Sequence, residues 1–289
     1  MDRLAPADTL PLTTADITGF RLDGYVVLRA ALGPRHVDAC IQALTDLATG
    51  AIPARQTSLM LEATAPEAVA ERALLIRKYM DFTEDAPALH AAANSRAVHA
   101  ALDQLLGQGR VLFQEMALVK PPRIGSEKPW HQDAAYFRLT DPALIAGVWI
   151  ALDPALAMNG CMELVPGSHL DGGMPHIHEN DFNRCRIIPE RVRAAERVAI
   201  EMQPGDALIF HSLLHHFTAP NTSDLRRRAV QFHYHQIGAV WGSVEQHRRH
   251  FQFENGGYAG CTLPHGDART NYAYRNGLIR EVAPVDTAP

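Results

Sequence analysis

The stretch PGDALIFHSLLHHFT, residues 204–218, joins a turn, a short apolar strand and a group of histidines. Gly205 and Asp206 predict a turn into a buried strand over 207–210, and a histidine follows where that strand ends. Several short strands separated by turns are typical of a β-sandwich or a β-barrel. Outward from this stretch, further short apolar runs lie at 111–119, 146–152, 161–165 and 229–234.

The N-terminal part of the chain has a helical pattern instead. Apolar residues from 37 to 47 recur at the spacing of one helix face. The alanine-rich segment 86–106 predicts a second helical block, which ends at Gly107. Residues 25–28 predict one short strand before the first helix. We therefore expect a mostly helical buttress beside a β core.

These patterns predict one domain over residues 1–289. The segment 171–203 is polar and irregular at its start, and so long an insertion between strands predicts a variable functional loop. The predicted parts are the helical buttress at 1–110, the β core at 111–235 and a C-terminal tail or cover at 236–289.

The composition argues against several classes of protein. With 47% hydrophobic and 20% charged residues, the chain can bury a full core. A net charge of -5 argues against nucleic acid or an anionic membrane as a partner. The longest apolar run, 143–152, is roughly half as long as a bilayer crossing, and the first ten residues lack the apolar core of a secretory signal. We therefore expect a cytoplasmic protein, and its 15 histidines are the candidates for function.

Residues 130–133, Trp-His-Gln-Asp, place an imidazole two positions before a carboxylate. In an extended segment, side chains two apart point to the same side, so His131 and Asp133 can be directed at one point. One imidazole and one carboxylate are two members of the 2-His-1-carboxylate group that binds Fe(II) and leaves coordination positions open. The third ligand must come from elsewhere, and the candidates are His211, His215 and His216.

A candidate anion-binding residue follows these histidines. Arg227 comes eleven residues after His216, which allows it to lie on the next antiparallel strand. A guanidinium there offers a planar fork to a carboxylate, and the Thr218 hydroxyl offers a further donor. The pattern therefore combines a metal-binding group with a carboxylate anchor.

Taken together, these motifs resemble the phytanoyl-CoA dioxygenase family within the Fe(II)- and 2-oxoglutarate-dependent dioxygenases. The resemblance is strongest over 111–234 and extends to 16–82. It implies a mainly β (α+β) fold, the double-stranded β-helix or cupin-like jelly roll, with the helical buttress at its N-terminus. The motifs that carry it are Lys120-Pro-Pro, His131-Gln-Asp133, Val148-Trp149-Ile-Ala-Leu, Asn159-Gly-Cys161, Pro166-Gly-Ser-His169, Phe210-His211-x4-His216-x-Thr218 and Arg227-Arg-Ala229.

The resemblance also implies roles for individual residues. His131, Asp133 and His216 would be the iron ligands, and with Arg227 they form the implied catalytic set. Arg227, assisted by Thr218, would bind the distal carboxylate of 2-oxoglutarate. Fe(II), 2-oxoglutarate and O2 are the implied cofactor and co-substrates. The other residues implied beside the co-substrate are Lys78, which would reach it from the helical region, Met116, Gln132 and Trp149.

Strand geometry separates the remaining candidates. Neighbours such as His215 and His216 face opposite sides of a strand, so only one can join the metal, and the motif spacing favours His216. The same alternation allows one inward arginine among residues 226–228. Three further expectations concern residues outside the predicted site: Lys120 exposed, His176 solvated, and His233 without a carboxylate partner.

The predicted activity is hydroxylation of an unactivated C–H bond in a small-molecule metabolite, with release of succinate and CO2. The resemblance places Asp133 where related halogenases lack a carboxylate, which favours hydroxylation over halogenation. Desaturation, epoxidation and cyclisation need the same iron site and stay open. Two alternatives use the same fold: a metal-binding sensor or binding protein without turnover, and a cupin-like iron enzyme that does not use 2-oxoglutarate.

Overall fold

A computed structural model describes residues 12–62, 74–178, 185–253, 271–275 and 278–282. Parts of the predicted buttress (1–11 and 63–73), loop (179–184) and tail (254–270, 276–277 and 283–289) lie outside the described residues. The helices are α1 (Thr14–Asp23), α2 (Pro34–Thr49), α3 (Pro87–Ala93), α4 (Arg96–Leu106) and α5 (Val244–Phe251). The strands are β1 (Tyr25–Leu28), β2 (Ser58–Leu61), β3 (Ile76–Met80), β4 (Arg110–Lys120), β5 (Lys128–His131), β6 (Ile145–Ala151), β7 (Met162–Leu164), β8 (His176–His178), β9 (Cys185–Ile187), β10 (Val198–Ile200), β11 (Ala207–His211), β12 (His216–Thr218), β13 (Arg227–Gln236), β14 (Asn271–Arg275) and β15 (Leu278–Val282).

Two antiparallel sheets face each other and form the body of the protein. Within the described chain, the larger sheet has seven strands in the order β1-β11-β6-β13-β4-β3-β2, and the smaller has four in the order β10-β7-β12-β5. Their inner faces share one apolar cluster, which contains Trp149 and Phe210 from the larger sheet and Met162 and Leu164 from the smaller. This is a jelly roll, and the predicted mainly β fold is confirmed.

Helices α1, α2, α3 and α4 pack on the outer face of the larger sheet. Strand β6 is buried on both faces, because Val148 and Ile150 belong to the outer, helix-covered cluster while Trp149 between them belongs to the inner one. Helix α2 contributes Leu44 and Leu47 to the same outer cluster. Alternation along the strands thus separates an outer core from the inner face.

The predicted, mostly helical buttress over 1–110 also contributes strands to the larger sheet. It contains α1, α2, α3 and α4, and the predicted strand at 25–28 is β1, which pairs with β11. Two strands that were not predicted, β3 and β2, extend the larger sheet beyond β4. Lys78 accordingly lies on β3 and not in a helical region. Strands of four or five residues are too short to give a recognisable alternation, and a register shift between Met60 and Leu61 interrupts it further.

Helix α5 of the C-terminal tail packs against the predicted loop 171–203. This loop contains the β8–β9 hairpin and the edge strand β10. His176, which we expected to be solvated, is fully buried: its Nε2 accepts from the backbone N–H of Gln132, and its ring contacts that of Phe251 in α5. None of the described helices is long and apolar enough to cross a bilayer.

The turn at Gly205 ties β11 to the N-terminal segment. Its φ is +92°, in the left-handed region, and a Cβ there would come within 2.3 Å of the Leu32 carbonyl oxygen. The Gly205 carbonyl accepts from the Leu32 N–H at 3.0 Å, so the two backbones are held together. Next to it, the buried carboxylate of Asp206 accepts from the N–H groups of Ala30 and Gln203.

Replacing Gly205 with alanine should lower the free energy of unfolding by about 2–4 kcal/mol, because the left-handed conformation and the clash with Leu32 both oppose folding. Gly50→Ala is the matched control: Gly50 has φ +80°, but a Cβ there meets nothing within 4 Å. Only the conformational cost of roughly 1–2 kcal/mol applies to it. Urea unfolding measures both variants, and equal losses would show that the contact with Leu32 imposes no constraint.

Candidate active site

Two neighbouring strands and the turn after one of them bring three ligand side chains together. His131 ends β5 and lies directly opposite His216, the first residue of β12. Gln132 is extended, with φ −117° and ψ 129°, so Asp133 returns to the side of His131 although a 3₁₀ turn begins there. The Asp133 Oδ1 atom is 3.4 Å from Nε2 of His131 and 3.5 Å from Nε2 of His216. The three side chains are buried, and their ligand atoms lie within 4.8 Å of one another.

Hydrogen bonds fix the orientation of both imidazoles. Nδ1 of His131 lies 2.7 Å from the carbonyl oxygen of Pro129, and Nδ1 of His216 lies 3.0 Å from that of Leu214. Since a carbonyl only accepts, each Nδ1 carries the proton, which leaves a lone pair on each Nε2. Burial also lowers the pKa of His131 to about 3, so its ring is neutral near pH 7. Both rings thus have the form that binds a metal ion.

The carboxylate of Asp133 is held in its ionised form. Burial by itself raises the pKa of a carboxyl group, but the neighbouring imidazoles of His216 and His233 lower the pKa of Asp133 well below its ordinary value. Its second oxygen, Oδ2, accepts from Nε2 of His233 at 2.8 Å and from the amide of Gln231 at 3.1 Å. Oδ1 is thereby left to face the two ligand histidines.

Gln231 and His233 belong to the site, although we expected His233 to have no carboxylate partner. They are buried, with 4% and 1% of their surface exposed. An even number of positions along β13 separates Arg227 from Gln231 and Gln231 from His233. The three side chains therefore face the same side of the strand. Alternation from the predicted inward residue Arg227 is the sequence signal that identifies the other two.

Arg227 lies at the far end of the same strand face. Its guanidinium is buried: Nη1 donates to the Leu118 carbonyl oxygen at 3.0 Å, and the central carbon lies 5.4 Å from the centre of the Trp149 ring. Burial lowers the pKa of Arg227 to about 10, which leaves it charged at pH 7. Among the described residues, neither its Nε nor Nε1 of Trp149 has a hydrogen-bond partner. Buried donors of this kind favour a bound acceptor.

A cavity of about 190 Å³ is lined by both Arg227 and the metal-binding group. Gln132 does not line it, because its amide donates to the carbonyls of Gly172 and Leu213 and accepts from the N–H of Met174. The predicted contact of Gln132 with the co-substrate is therefore corrected: this side chain holds the loop against the ligand segment. The predicted site residues that do line the cavity are His131, Asp133, His216, Arg227, Lys78, Met116, Trp149 and Thr218.

The rival histidines do not line this cavity. The ring of His211 packs against that of His169, at 4.9 Å between centres, and His215 is buried outside the lining. Lys120, which we expected to be exposed, is 3% exposed and lines the cavity. Its ammonium donates to the carbonyl oxygens of Ser126 and Thr218, and burial lowers the pKa of Lys120 well below its ordinary value.

The donor set fits Fe(II) and a 2-oxo dicarboxylic acid. Two imidazoles with available Nε2 atoms and one carboxylate are the ligands of non-haem Fe(II) oxygenases, and they leave positions open for other ligands. A buried guanidinium with an unpartnered donor suits a carboxylate. A jelly roll in which two histidines, a carboxylate and a buried arginine line one cavity defines the class of Fe(II)- and 2-oxoglutarate-dependent oxygenases.

Comparison with known proteins agrees with this class. The family described as phytanoyl-CoA dioxygenase (PhyH) matches residues 20–229. The chain belongs to this family, and it is therefore an enzyme that uses Fe(II), 2-oxoglutarate and O2. A probable phytanoyl-CoA dioxygenase of Caenorhabditis elegans is 26% identical over 227 residues, which cover 74% of this chain and 72% of that protein.

Solved structures share the fold. EctD from S. alaskensis with bound Fe has a TM-score of 0.65 at 19% identity, over 84% of this chain and 82% of that chain. EvdO2 from Micromonospora carbonacea var. aurantiaca, complexed with 2-oxoglutarate, has a TM-score of 0.62 at 23% identity, over 84% of this chain and 98% of that chain. At these identities the likeness shows the jelly-roll fold alone.

Replacing His233 with alanine should weaken Fe(II) binding by about 10- to 100-fold, because Oδ2 of Asp133 loses its closest donor. His235→Ala is the matched control: His235 lies two positions further along β13 and is also buried, but its Nδ1 contacts the backbone of Gln236. Anaerobic calorimetric titration with Fe(II) measures both variants. An unchanged iron affinity in a folded His233→Ala variant would contradict the positioning role.

Proposed function

We propose that this protein hydroxylates an unactivated C–H bond of a small-molecule metabolite, with release of succinate and CO2. The observation that carries the proposal is the shared cavity, in which the buried guanidinium of Arg227 and the group of His131, Asp133 and His216 line one space. Such a cavity suits a 2-oxo acid that reaches from the metal ligands to the arginine. The expected cytoplasmic location stays a prediction.

In the proposed site, His131, Asp133 and His216 hold the iron. When bound, Fe(II) supplies the oxidative chemistry that couples decarboxylation of 2-oxoglutarate to oxidation of the substrate. Because Gln231 and His233 donate to Oδ2, Oδ1 of Asp133 is the oxygen that would hold the metal. The presence of Asp133 supports hydroxylation over halogenation.

Arg227 is the proposed anchor for the distal carboxylate of the co-substrate. Its bond to the Leu118 carbonyl and the face of Trp149 restrict its movement, so little side-chain entropy is lost when the carboxylate binds. Thr218 is two residues after His216 on β12 and faces the same side. Its hydroxyl is the proposed additional donor.

The remaining co-substrate contacts follow from the register of the larger sheet. Met116 of β4 and Trp149 of β6 both lie opposite Gln231 of β13, so the two side chains flank the residue that holds Asp133. Lys78 of β3 lies opposite Leu118 of β4 and lines the same cavity. We assign Met116 and Trp149 to the apolar wall that excludes water. We assign Lys78 to a contact that offsets the negative charge of the co-substrate.

Arg227→Met should raise the dissociation constant for 2-oxoglutarate by about 10- to 100-fold, because a charge-assisted hydrogen-bond pair is lost. Fe(II) affinity should stay unchanged. Arg228→Met is the matched control: it removes the same charge from the next residue, which faces the opposite side and pairs with Asp153 at 2.7 Å. Anaerobic titration of the iron-loaded protein, followed by the visible metal-to-ligand charge-transfer band, measures both. An equal loss in both variants would contradict the assignment.

Turnover separates the proposed function from its alternatives. The iron-loaded protein is incubated with 2-oxoglutarate, O2 and candidate metabolites, and succinate is measured together with the mass of each metabolite. A hydroxylase gives succinate and a product with one added oxygen atom. A sensor gives the charge-transfer band without succinate, and a cupin-like iron enzyme oxidises its substrate equally well without 2-oxoglutarate.

A further inference from the structure

Three of the 27 basic residues of the chain are lysines, and all three line the cavity of the metal group: Lys78, Lys120 and Lys128. The other basic residues are arginines. A lysine ammonium is a compact charge on a flexible stem, whereas an arginine offers a planar fork. The position of every lysine at one cavity indicates that compact charges serve a purpose there.

A β-bulge directs Lys128 into this cavity. On β12, His216 and Thr218 are two residues apart and face the same side. Their partners across the ladder, His131 and Lys128, are three residues apart on β5. A regular strand would point residues three apart to opposite sides, but the extra residue lets both face inward. Bulges that redirect a side chain in this way are common beside active sites.

Lys128 and two residues of β3 line the cavity beside the metal group. The Lys128 ammonium donates to the Tyr136 hydroxyl at 2.7 Å, and the Tyr136 ring meets the His131 ring edge-on, with 6.0 Å between centres. Strand β3 contributes Lys78 and Arg77, and Nη2 of Arg77 donates to a backbone carbonyl next to Lys128, that of residue 127. We call Arg77, Lys78 and Lys128 the cationic rim.

Basic side chains outnumber acidic ones in the cavity. Among the described residues that line it, five have basic side chains and two, Glu62 and Asp133, have acidic ones. Glu62 accepts from the backbone N–H and the hydroxyl of Ser126, and Asp133 belongs to the metal group. Fe(II) is a dication and 2-oxoglutarate a dianion, so the pair adds no net charge. A substrate with a negative charge would offset the excess.

We propose that the substrate carries a terminal anionic group, a carboxylate or a phosphate, which Lys128 and Arg77 bind at the cationic rim. The inference rests on the proposed function, because that function assigns Arg227 and Lys78 to 2-oxoglutarate. Lys128 contributes a point charge on the strand that holds His131, and Arg77 contributes a fork that recognises two oxygens. The anion then lies beside the metal ligands, which directs the rest of the substrate toward them.

Matched probes test the proposal. Benzoate, phenyl phosphate and benzamide share one ring and differ in the terminal group. Each is titrated anaerobically into protein loaded with Fe(II) and saturating 2-oxoglutarate, with the shift of the charge-transfer band as the readout. We expect both anions to bind about tenfold or more tightly than benzamide, because hydrogen bonds to charged groups are the stronger ones. The tighter anion distinguishes a carboxylate substrate from a phosphate substrate.

Lys128→Met keeps an unbranched side chain and removes the charge. It should reduce the affinity for both anions to that for benzamide and leave the affinity for 2-oxoglutarate unchanged. Arg249→Met is the matched control: it removes the same charge from a side chain of α5 that is 71% exposed, and it should bind all three probes as the unaltered protein does. A Lys128→Met variant that still prefers the anions would overturn the proposal. A missing band in the unaltered protein would contradict the proposed function instead.

Acetylation of the lysines gives a second readout that needs no iron. Peptide mass spectrometry follows Lys78, Lys120 and Lys128 separately, because the chain has no other lysine. We expect benzoate or phenyl phosphate to slow the acetylation of Lys128, and benzamide to have no effect. Lys120 donates to the carbonyl of Thr218 and serves as the comparison. If the anion protects Lys120 but not Lys128, it binds elsewhere in the cavity, and the proposal is overturned.

Discussion

A single buried carboxylate, that of Asp133, joins the two sheets of the protein. Burying a charge is unfavourable unless hydrogen bonds and opposite charges compensate for it. Here the larger sheet supplies the hydrogen bonds of Gln231 and His233, and the smaller sheet holds His131 and His216 within 3.5 Å of the same carboxylate. The two sheets therefore meet at Asp133, next to the apolar cluster that lies between them.

Strand β13 sets the separation between the two ends of the cavity. It carries Arg227 at its start and Gln231 and His233 further along the same face. A strand rises about 3.3 Å per residue, so the Cα atoms of Arg227 and Gln231 are about 13 Å apart. Because β13 is paired on both sides, with β4 and with β6, this separation cannot change without breaking the larger sheet. The distance between Arg227 and the residues that hold Asp133 is thus fixed by the sheet.

The features that could be predicted from the sequence depend on short-range geometry. The ligand pair His131 and Asp133 needs only an extended residue between them, and the core strands appear as clear apolar runs. The same geometry, applied more strictly, excludes Gln132: a residue between two inward side chains points outward, and its amide holds the loop. Alternation along β13 places His233 on the same face as Arg227, but its contact with Asp133, 100 residues away along the chain, depends on how the two sheets pack. The short strand β3 joins the sheet by pairing with β4, and β2 joins it by pairing with β3, which no local pattern records.

Because of the bulge between β5 and β12, strand β5 directs two side chains into the cavity, the metal ligand His131 and the basic residue Lys128. His131 keeps its place opposite His216 through backbone pairing, and this pairing does not depend on the side chain at position 128. A different residue at that position leaves the imidazole in place, while it alters the charge and size of the space beside it. Selection, or a protein engineer, can therefore change which molecules are accepted by exchanging one side chain, and the oxidative chemistry is inherited intact.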